Sequence, residues 1–443
     1  MIALCGRILK THKGDISMQF LLSGGKVFLN GKFQTLDILI SDGVIIDIAP
    51  SITVSKNFDG RIIECDRFFI TPAFADVHVH LREPGFSYKA TVKSETMAAA
   101  AGGYTTVCAM PNLNPAPDSL ENLKVELDII EKDAVIRVLP YGCITKGQKG
   151  EELADMEAMA PYVCGFSDDG RGVQSDTLVL EAMKKAKELN KPIVAHCEVN
   201  DLLFGGYIHD GEYAKAHDMK GICSESEWKM IERDLELVEQ VGCRYHICHI
   251  SAKESVELLK KAKEKALPVS GETAPHYLAL TDNDLKDEGR FKMNPPIRAD
   301  EDRQELIRGF KDGTLGFLAT DHAPHSAEEK SKGLEKSAFG IVGIETAFTV
   351  TYTELVKSGR ISLEALIDRI SLAPRRFLGL SDKIEVGQKA EFTVFSCDDV
   401  IINSKDFVSM GKATPFENYK GFGRIEYTFY DGGIVWKKNT QKR

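Results

Sequence analysis

The residues best suited to chemistry are His78 and His80, which alternate with valines in the short run 76–81. The apolar, β-prone residues before them predict a buried strand, and alternate side chains of a strand share one face. Two imidazoles one pleat apart can bind one metal ion, and Arg82 comes next on the same face. A single buried histidine is usually a hydrogen-bonded core residue, whereas this pair at the end of a buried strand favours a metal site.

Other polar residues of catalytic type also follow short apolar runs. If those runs are strands, possible metal ligands stand at several strand ends, which packing alone does not require. An unpaired ionised carboxylate at such a buried position costs several kcal/mol, so a cationic partner is expected. These residues are Asp168, Asp169, His196, His249 and Asp321.

Four histidines with two aspartates suit two zinc-like ions that share a bridging carboxylate. Asp168 and Asp169 both precede Gly170, and one of them can instead cap a turn or helix while its neighbour binds metal. His276 follows another apolar run and could also reach the site. The other histidines are interpreted as ordinary core or loop residues.

Basic and amide groups without a metal role indicate the kind of substrate. Arg82 can hold a carboxylate through two hydrogen bonds, although a structural ion pair is the alternative. Asn112, Asn294 and His325 can add hydrogen bonds, and residues 339–340 can present backbone amides. The polar loop 326–336, which contains a glycine, is interpreted either as a mobile lid or as a merely solvated loop.

Eight apolar strand candidates alternate with helical stretches over about 310 residues. This arithmetic predicts a (β/α)8 TIM barrel, in which the carboxyl ends of the strands meet at one mouth. A doubly wound open sheet is the alternative, but it would not explain the polar residues at so many strand ends. The candidate strands are 74–80, 105–110, 135–144, 162–166, 192–196, 244–249, 267–273 and 315–320.

The two ends of the chain resemble each other more than they resemble the middle. Both are rich in short strands and Gly-containing turns, and chain termini often lie close together in space. We therefore predict one small β-sandwich domain built from residues 18–70 and 383–443, around a catalytic barrel at 71–382. Residues 1–17 are interpreted as an N-terminal extension, either an upstream start or a disordered tail.

Composition excludes several classes of protein. The 443 residues carry a formal net charge of -10, which argues against a nucleic-acid or anionic-membrane surface. No run approaches the roughly 18 apolar residues of a membrane helix. The ten cysteines form no C-x-x-C pair, which suits reduced thiols in a cytoplasmic protein.

Seven motifs together resemble the type I bacterial dihydroorotases of the amidohydrolase superfamily. The resemblance extends from about residue 18 to the C-terminus, and the motifs are highly specific as a set. One small departure is Ala73, where the family usually has glycine. The motifs are DVHVHLREPG at 76–85, GYTTV at 103–107 with AMPN at 109–112, FSDDG at 166–170, VAHCE at 194–198, CHIS at 248–251, KMNPP at 292–296 and ATDHAPH at 319–325.

The resemblance implies a role for each site residue. One zinc ion would be held by His78, His80 and Asp321, and the other by His196 and His249. Asp169 would bridge them, because the family's bridge is the second aspartate of the pair before glycine. Hydantoinases and other relatives use a carboxylated lysine there, and strand candidate four offers no lysine. The implied substrate-binding residues are His80, Arg82, Asn112, Asn294, His325, Phe339 and Gly340.

The implied activity is the zinc-dependent interconversion of (S)-dihydroorotate and N-carbamoyl-L-aspartate in de novo pyrimidine biosynthesis. Two zinc ions per subunit would be bridged by Asp169 and a hydroxide, and Asp321 would be the catalytic proton carrier. The resemblance also suggests a homodimer, and a contact with aspartate carbamoyltransferase is a further expectation. The alternatives are a hydantoinase-like or allantoinase-like cyclic amidohydrolase, and a non-catalytic structural partner of aspartate carbamoyltransferase.

Overall fold

A computed structural model describes residues 19–438, so the predicted extension at 1–17 lies outside the described residues. Strands and helices alternate along most of the chain, which confirms the predicted α/β class. No helix within 19–438 is long and apolar enough to cross a membrane. The strands in chain order are β1 (Phe20–Leu29), β2 (Lys32–Ser41), β3 (Val44–Ala49), β4 (Arg61–Glu64), β5 (Phe69–Pro72), β6 (Phe74–Val79), β7 (Tyr104–Ala109), β8 (Arg137–Pro140), β9 (Ile193–Ala195), β10 (Ile208–His209), β11 (Gly221–Ile222), β12 (Tyr245–Ile247), β13 (Val269–Thr273), β14 (Phe317–Leu318), β15 (Phe392–Ile401), β16 (Lys420–Tyr430) and β17 (Gly433–Lys437).

The helices lie mostly between successive parallel strands. Two of the later ones, α12 and α13, each continue into a π-helical segment, Tyr352–Lys357 and Asp368–Leu372 respectively. The helices are α1 (Val92–Ala101), α2 (Leu120–Asp133), α3 (Met156–Met159), α4 (Asp176–Glu188), α5 (Glu212–Ala216), α6 (Glu225–Val241), α7 (Lys253–Glu264), α8 (Pro275–Ala279), α9 (Asp300–Asp312), α10 (Ala327–Lys330), α11 (Gly333–Lys336), α12 (Ala347–Thr351), α13 (Leu363–Ile367) and α14 (Ala373–Phe377).

Helix α4 illustrates how the sequence determines these elements. Ser175 caps its N-terminus by accepting a hydrogen bond from the backbone N–H of Leu178. Val179, Ala182, Met183 and Ala186 recur at helical spacing, and all four are buried. The prediction of an amphipathic helix here is confirmed, and its apolar face packs onto the parallel strands.

Strands from both ends of the chain form one eight-stranded sheet. Its order is β17-β16-β15-β5-β1-β2-β3, with β4 paired to β1. The central pairing is antiparallel, between β15 and β5, with Phe392 opposite Pro72 and Phe395 opposite Phe69. The N-terminal strands and the C-terminal strands are thus directly hydrogen-bonded to each other.

Aromatic side chains pack this sheet against the middle of the chain. The Phe395 ring is stacked 5.3 Å from Phe69 within the sheet and lies 4.6 Å from Phe348, measured between ring centroids. Phe348 in turn lies 5.5 Å from Phe74 at the start of β6. A continuous apolar core therefore supports the strand that carries His78 and His80.

A partly buried ion-pair cluster centred on Glu391 reinforces the same junction. The Glu391 carboxylate accepts hydrogen bonds from Arg137 and Arg375, each at 2.9 Å, and from the Thr105 hydroxyl at 2.7 Å. Burial alone would raise the pKa of Glu391, but the two guanidinium groups lower it to about 2. The residue just before β15 is thus tied to β7, β8 and α14.

The parallel strands form two sheets, β6-β7-β8 and β14-β13-β12-β9. Single parallel bridges add further pairings, between Gly142 and Phe166, between Phe166 and Ile193, and between Val79 and His322. The backbone N–H of His80 also donates to the carbonyl of His322 at 2.9 Å.

The fourth predicted strand, 162–166, is not a regular strand. Only Phe166 makes strand-like bridges, and Ala160–Tyr162 form a 3₁₀ turn instead. Pro161 lies in the first turn of that 3₁₀ segment; it has no backbone N–H to give to a neighbouring strand. The chain still enters the layer at Phe166, immediately before Asp168 and Asp169.

Candidate metal centre and active site

The strand ends bring four histidines and two aspartates into one buried cluster. The Nε2 atom of His78 lies 3.2 Å from Asp169 and 3.5 Å from Asp321, while His80 Nε2 lies 3.0 Å from Asp321 and 3.5 Å from Asp169. These four side chains face one point from three different strand ends.

The remaining two histidines approach Asp169 from the other side. His196 Nδ1 and His249 Nε2 are 2.9 Å apart, and they lie 3.7 and 3.6 Å from Asp169 Oδ1. Asp169 thus stands between the pair His196 and His249 and the group formed by His78, His80 and Asp321. This is the arrangement that a bridging carboxylate requires.

Unpartnered atoms in this cluster fit a cation. His78 Nδ1 lies 2.7 Å from the Glu272 carboxylate, so it carries the proton and leaves a lone pair on Nε2. That lone pair faces Asp169 Oδ1, and both atoms are buried without a hydrogen-bond partner among the described residues. Two acceptors pointed at each other repel unless a positive ion lies between them. His78, Asp169 and His249 form one group whose ligand atoms lie close enough to share an ion, and His78, His80 and Asp321 form another.

Electrostatics agree with this interpretation. Burial disfavours ionisation of Asp169, yet positive charge on His78 and the close approach of the His249 and His78 rings hold its pKa well below the usual range. With no metal ion in the gap, a proton on Nε2 would take its place: burial opposes a charge on His78, but the carboxylate of Asp169 raises the pKa of His78 well above its ordinary value. The cluster strongly favours negative carboxylates in contact with positive charge.

The backbone is held in an unusual conformation at three of these positions. Arg82, His249 and Asp321 have φ angles of 69°, 32° and 47°, in the left-handed region that L-residues rarely adopt. Each such residue costs roughly 1–3 kcal/mol, which the surrounding structure must supply. The backbone strain at these residues lowers the stability of the fold, but it directs the three side chains toward one point.

Asp168 has the structural role and Asp169 faces the histidines. Asp168 accepts hydrogen bonds from the backbone N–H groups of Ile144 and Thr145, at 2.8 and 3.1 Å, and from the Thr145 hydroxyl. It anchors the segment after β8, which leaves Asp169 directed into the cluster. The pattern of two aspartates before Gly170 did not by itself distinguish these roles.

Glu272 was missed by the sequence interpretation. It lies in β13 and is fully buried, with one oxygen against His78 Nδ1 and the other 2.9 Å from His246 Nε2. The backbone N–H of His249 also donates to it at 3.1 Å. A glutamate at the inner end of a predicted barrel strand was the available signal, because such a charge is rarely buried without partners.

A cavity of about 150 Å³ opens onto the cluster. Its walls combine five of the six ligand candidates, all but His78, with nearly all of the predicted substrate-binding residues. Predicted residue His325 lies just outside the lining. The lining residues are His80, Arg82, Asn112, Asp169, Gly170, His196, His249, Asn294, Asp321, Phe339 and Gly340.

Arg82 provides the positive charge in this cavity. Its Nε donates to the Pro324 carbonyl at 3.0 Å, and its Nη2 lies 3.2 Å from His325 Nε2. Burial lowers the pKa of Arg82 to about 10, so the guanidinium remains charged at neutral pH. Burial together with the charges of Arg82 and Lys89 lowers the pKa of His325 to about 3, which keeps that imidazole neutral.

The side chain of Lys330 holds the loop 326–340 against the cavity. The buried Lys330 ammonium donates to the carbonyls of Lys292, Ala338 and Gly340, at 3.0, 2.6 and 2.6 Å. Gly340 has a φ of 120°, and a Cβ there would lie 2.8 Å from Ala323 Cβ, so only glycine fits. The loop contains the short helices α10 and α11 and is anchored at several points.

The other histidines have identifiable partners or surroundings. His322 Nε2 lies 2.7 Å from Glu95, and His246 contacts Glu272 on the opposite side from the cavity. His276 is buried, and its Nε2 has no hydrogen-bond partner among the described residues. Burial lowers the pKa of His276 to about 4, so it is neutral. It does not line the cavity.

Sequence comparison finds relatives that share one name, dihydroorotase, and that align with nearly the whole chain. A sequence model of the family described as dihydro-orotase-like matches residues 68–255. A dihydroorotase from Fusobacterium nucleatum subsp. nucleatum is 48% identical over 419 residues, which cover 94% of this chain and 98% of that protein. Dihydroorotases from Macrococcus caseolyticus and Staphylococcus aureus (strain MRSA252) are each 44% identical and cover 95% and 94% of this chain and 99% of each relative.

Solved structures with a similar fold include a hydantoinase and a dihydropyrimidinase. L-Hydantoinase (dihydropyrimidinase) from Arthrobacter aurescens superposes with a TM-score of 0.83 at 23% identity, covering 96% of this chain and 97% of that one. Dihydropyrimidinase from Brevibacillus agri gives a TM-score of 0.81 at 21% identity, with 95% of each chain covered. At this identity the likeness concerns the fold alone.

Proposed function

Because this chain belongs to the dihydroorotase family, we propose that the cavity beside Arg82 interconverts (S)-dihydroorotate and N-carbamoyl-L-aspartate in pyrimidine biosynthesis. The observation that carries the proposal is the buried lone pair of His78 facing Asp169, with a charged guanidinium in the same cavity. The first feature calls for a metal ion and the second for an anionic substrate.

Two zinc ions per subunit fit the donor set. His78, His80 and Asp321 would hold one, His196 and His249 the other, with Asp169 shared between them. Zinc bound there supplies a Lewis acid for the ring carbonyl and lowers the pKa of a water molecule toward about 7. His78 is held by Glu272 at 2.7 Å, so its orientation is set before any ion binds.

Protein groups then position the substrate and move its proton. Arg82 has two N–H groups in a planar fork that matches a carboxylate, which is the group that dihydroorotate has and simple hydantoins lack. Asp321 lies beside His80 and lines the cavity, within reach of a ring nitrogen. It would take a proton from the attacking water and deliver it to the leaving nitrogen, with the reverse order in ring closure.

The surrounding architecture is the proposed (β/α)8 barrel at 71–382 with a β-sandwich domain from 18–70 and 383–443. The bridges at Phe166 and between Val79 and His322 support closure, because they link the two parallel sheets at both sides. The likeness to hydantoinase structures supports closure as well.

We also propose a homodimer with a contact to aspartate carbamoyltransferase, to be checked by light scattering of each protein alone and mixed. The nine described cysteines are free, which supports a reducing compartment such as the cytoplasm.

A direct assay tests the activity. Purified protein should close carbamoyl-aspartate to dihydroorotate at mildly acidic pH, and metal analysis should find up to two zinc ions per chain. Carboxylate-free rings, hydantoin and dihydrouracil, serve as comparison substrates. Turnover of those rings without turnover of dihydroorotate would instead indicate a hydantoinase-like enzyme. A zinc-free chain that turns over none of these rings would indicate a structural partner.

A further inference from the structure

The side-chain amide of Asn294 has a hydrogen-bond partner on one side only. Its Nδ2 donates to Glu198 Oε1 at 2.8 Å, while its Oδ1 is buried and has no partner among the described residues. Asn294 lines the cavity next to the predicted metal ligands. A buried acceptor left unpaired is unfavourable, and a ligand N–H could satisfy it on binding.

The chemistry of Glu198 determines which way this amide points. An ionised carboxylate has only acceptors, so it can pair with the NH₂ end of an amide and not with its oxygen. Glu198 is buried at the end of the segment after β9, and its other oxygen lies 3.6 Å from His196 Nε2. The Asn294 oxygen is thereby turned away from Glu198.

Asn112 shows the opposite orientation across the same cavity. Its Oδ1 lies 2.8 Å from His80 Nδ1, while His80 Nε2 faces Asp321. Because His80 Nε2 faces the predicted metal position, the proton of this ring lies on Nδ1, which donates to Asn112 Oδ1. The NH₂ group of Asn112 then remains as a donor for a ligand. The cavity thus has an amide donor on one wall and an amide acceptor on another.

We propose that Glu198 is a positioning residue that fixes the Asn294 amide so that its oxygen accepts an N–H of the substrate. Resting on the proposed function, that N–H belongs to the ureido portion of the substrate, the N–C(=O)–N unit that both the ring and its opened form contain. Asn112 donates to an oxygen of the same ligand. This polarity favours ureides over lactones or esters of the same shape, which offer no N–H.

A reversal of donor and acceptor tests this role. Asn294→Asp places two carboxylates in contact, so we expect at least a tenfold rise in KM for dihydroorotate and a lower Tm. Glu198→Gln leaves one acceptor oxygen where two groups face the wild-type carboxylate, Asn294 Nδ2 at 2.8 Å and His196 Nε2 at 3.6 Å. The glutamine can accept from only one of them, so the Asn294 amide is no longer fixed, and we expect KM to rise about tenfold, equivalent to about 1.4 kcal/mol. Both singles should change kcat less than KM.

The double variant Glu198→Gln with Asn294→Asp should restore the pairing. The new glutamine amide donates to the new carboxylate, which again presents a free acceptor oxygen to the cavity. We expect its KM to fall severalfold below that of Asn294→Asp alone, with its Tm recovered. A purely structural pair would recover Tm without recovering KM, so the fall in KM is the result that identifies a positioning role.

Controls distinguish a change in the orientation of the Asn294 amide from loss of charge and from loss of zinc. Asp201→Asn removes one negative charge from an exposed position on the same loop and should leave KM and Tm at wild-type values. Zinc content, measured for every variant, distinguishes metal loss through His196 from a turned amide. A double variant with full zinc but no rescue of KM or Tm overturns the inference, as does an unchanged KM in Glu198→Gln. Failure of the proposed function appears separately, as absent turnover of dihydroorotate by the wild type, and the Tm rescue still tests Glu198 in that case.

Discussion

The Nδ1 atom of His78 and the Oε1 atom of Glu272 lie 2.7 Å apart, although 194 residues separate them in the chain. Glu272 also contacts His246 and the backbone of His249, so one buried carboxylate is shared by three histidines. It sits behind the predicted metal ligands, where it fixes the tautomer of His78. The geometry of the site therefore depends on a residue that need not touch a metal or a substrate.

We expect Glu272→Gln to weaken zinc binding by about 10–100-fold, the usual effect of losing a carboxylate behind a metal ligand. The glutamine amide can accept one histidine proton but presents an NH₂ to the other ring. Competition with a chromophoric chelator measures the affinity directly. Glu152→Gln, at a surface pair with Lys146, is the matched control. Equal zinc affinities in the two variants would refute the role assigned to Glu272.

Asp321→Asn should retain zinc and lose turnover. An amide oxygen can still coordinate a metal ion, but it cannot accept and return a proton at neutral pH. General acid–base groups contribute about 10²–10⁴-fold, so kcat should fall by that factor in both directions. Metal analysis must accompany the kinetics. Near-normal kcat with full zinc would exclude Asp321 as the proton carrier.

Arg82→Lys should impair carboxylated substrates selectively. Lysine keeps the positive charge but lacks the planar pair of donors, and hydrogen bonds to charged groups contribute about 1.5–3 kcal/mol. We expect KM for dihydroorotate to rise about 10–100-fold, with little change in the residual activity on dihydrouracil. An equal loss on both rings would mean that Arg82 supports the loop near Pro324 instead of the substrate.

Lys330→Met should loosen the loop at 326–340. The change removes three hydrogen bonds to the carbonyls of Lys292, Ala338 and Gly340, one of which lines the cavity. Hydrogen exchange should become faster within this loop and KM should rise severalfold. Lys332→Met, at an exposed position on the same loop, is the control. Identical exchange in both variants would show that the loop is held by other contacts.

Glu391→Gln should remove stability that depends on pH. The folded state lowers the pKa of Glu391 from 4.5 to about 2, so the ionised group stabilises the fold above pH 4.5. That contribution is lost as pH falls from about 4.5 to about 2, and this lowering of the pKa corresponds to at most about 3 kcal/mol of folding free energy. The variant should be less stable than wild type at pH 7, with a difference that shrinks below pH 4.5. Denaturant unfolding at pH 7, 4.5 and 3 measures this, and a constant difference would contradict it.

The sequence pattern was sufficient for features that depend on local periodicity. His78 and His80 share a face because a strand alternates, and the burial of Val179 and Met183 follows from helical spacing. Features created by tertiary contacts could not be predicted from the sequence pattern. Nothing local distinguishes Asp168, which anchors Ile144 and Thr145, from Asp169. Glu198 and Glu272 act on residues 96 and 194 positions away, a relation that appears only when the strands are side by side.

The pairing of β15 with β5 has a consequence for biosynthesis. A ribosome delivers β1 to β5 more than 300 residues before their partners at 392–437, so the edge of β5 is unpaired through most of translation. Unpaired edges of apolar strands are where chains associate wrongly. The contact from Phe74 through Phe348 to Phe395, which joins the start of β6 to this sheet, also forms only after β15 has been made. The β5 edge therefore stays open to wrong association until the last strands emerge, and a fragment that stops before them would not complete its sheet.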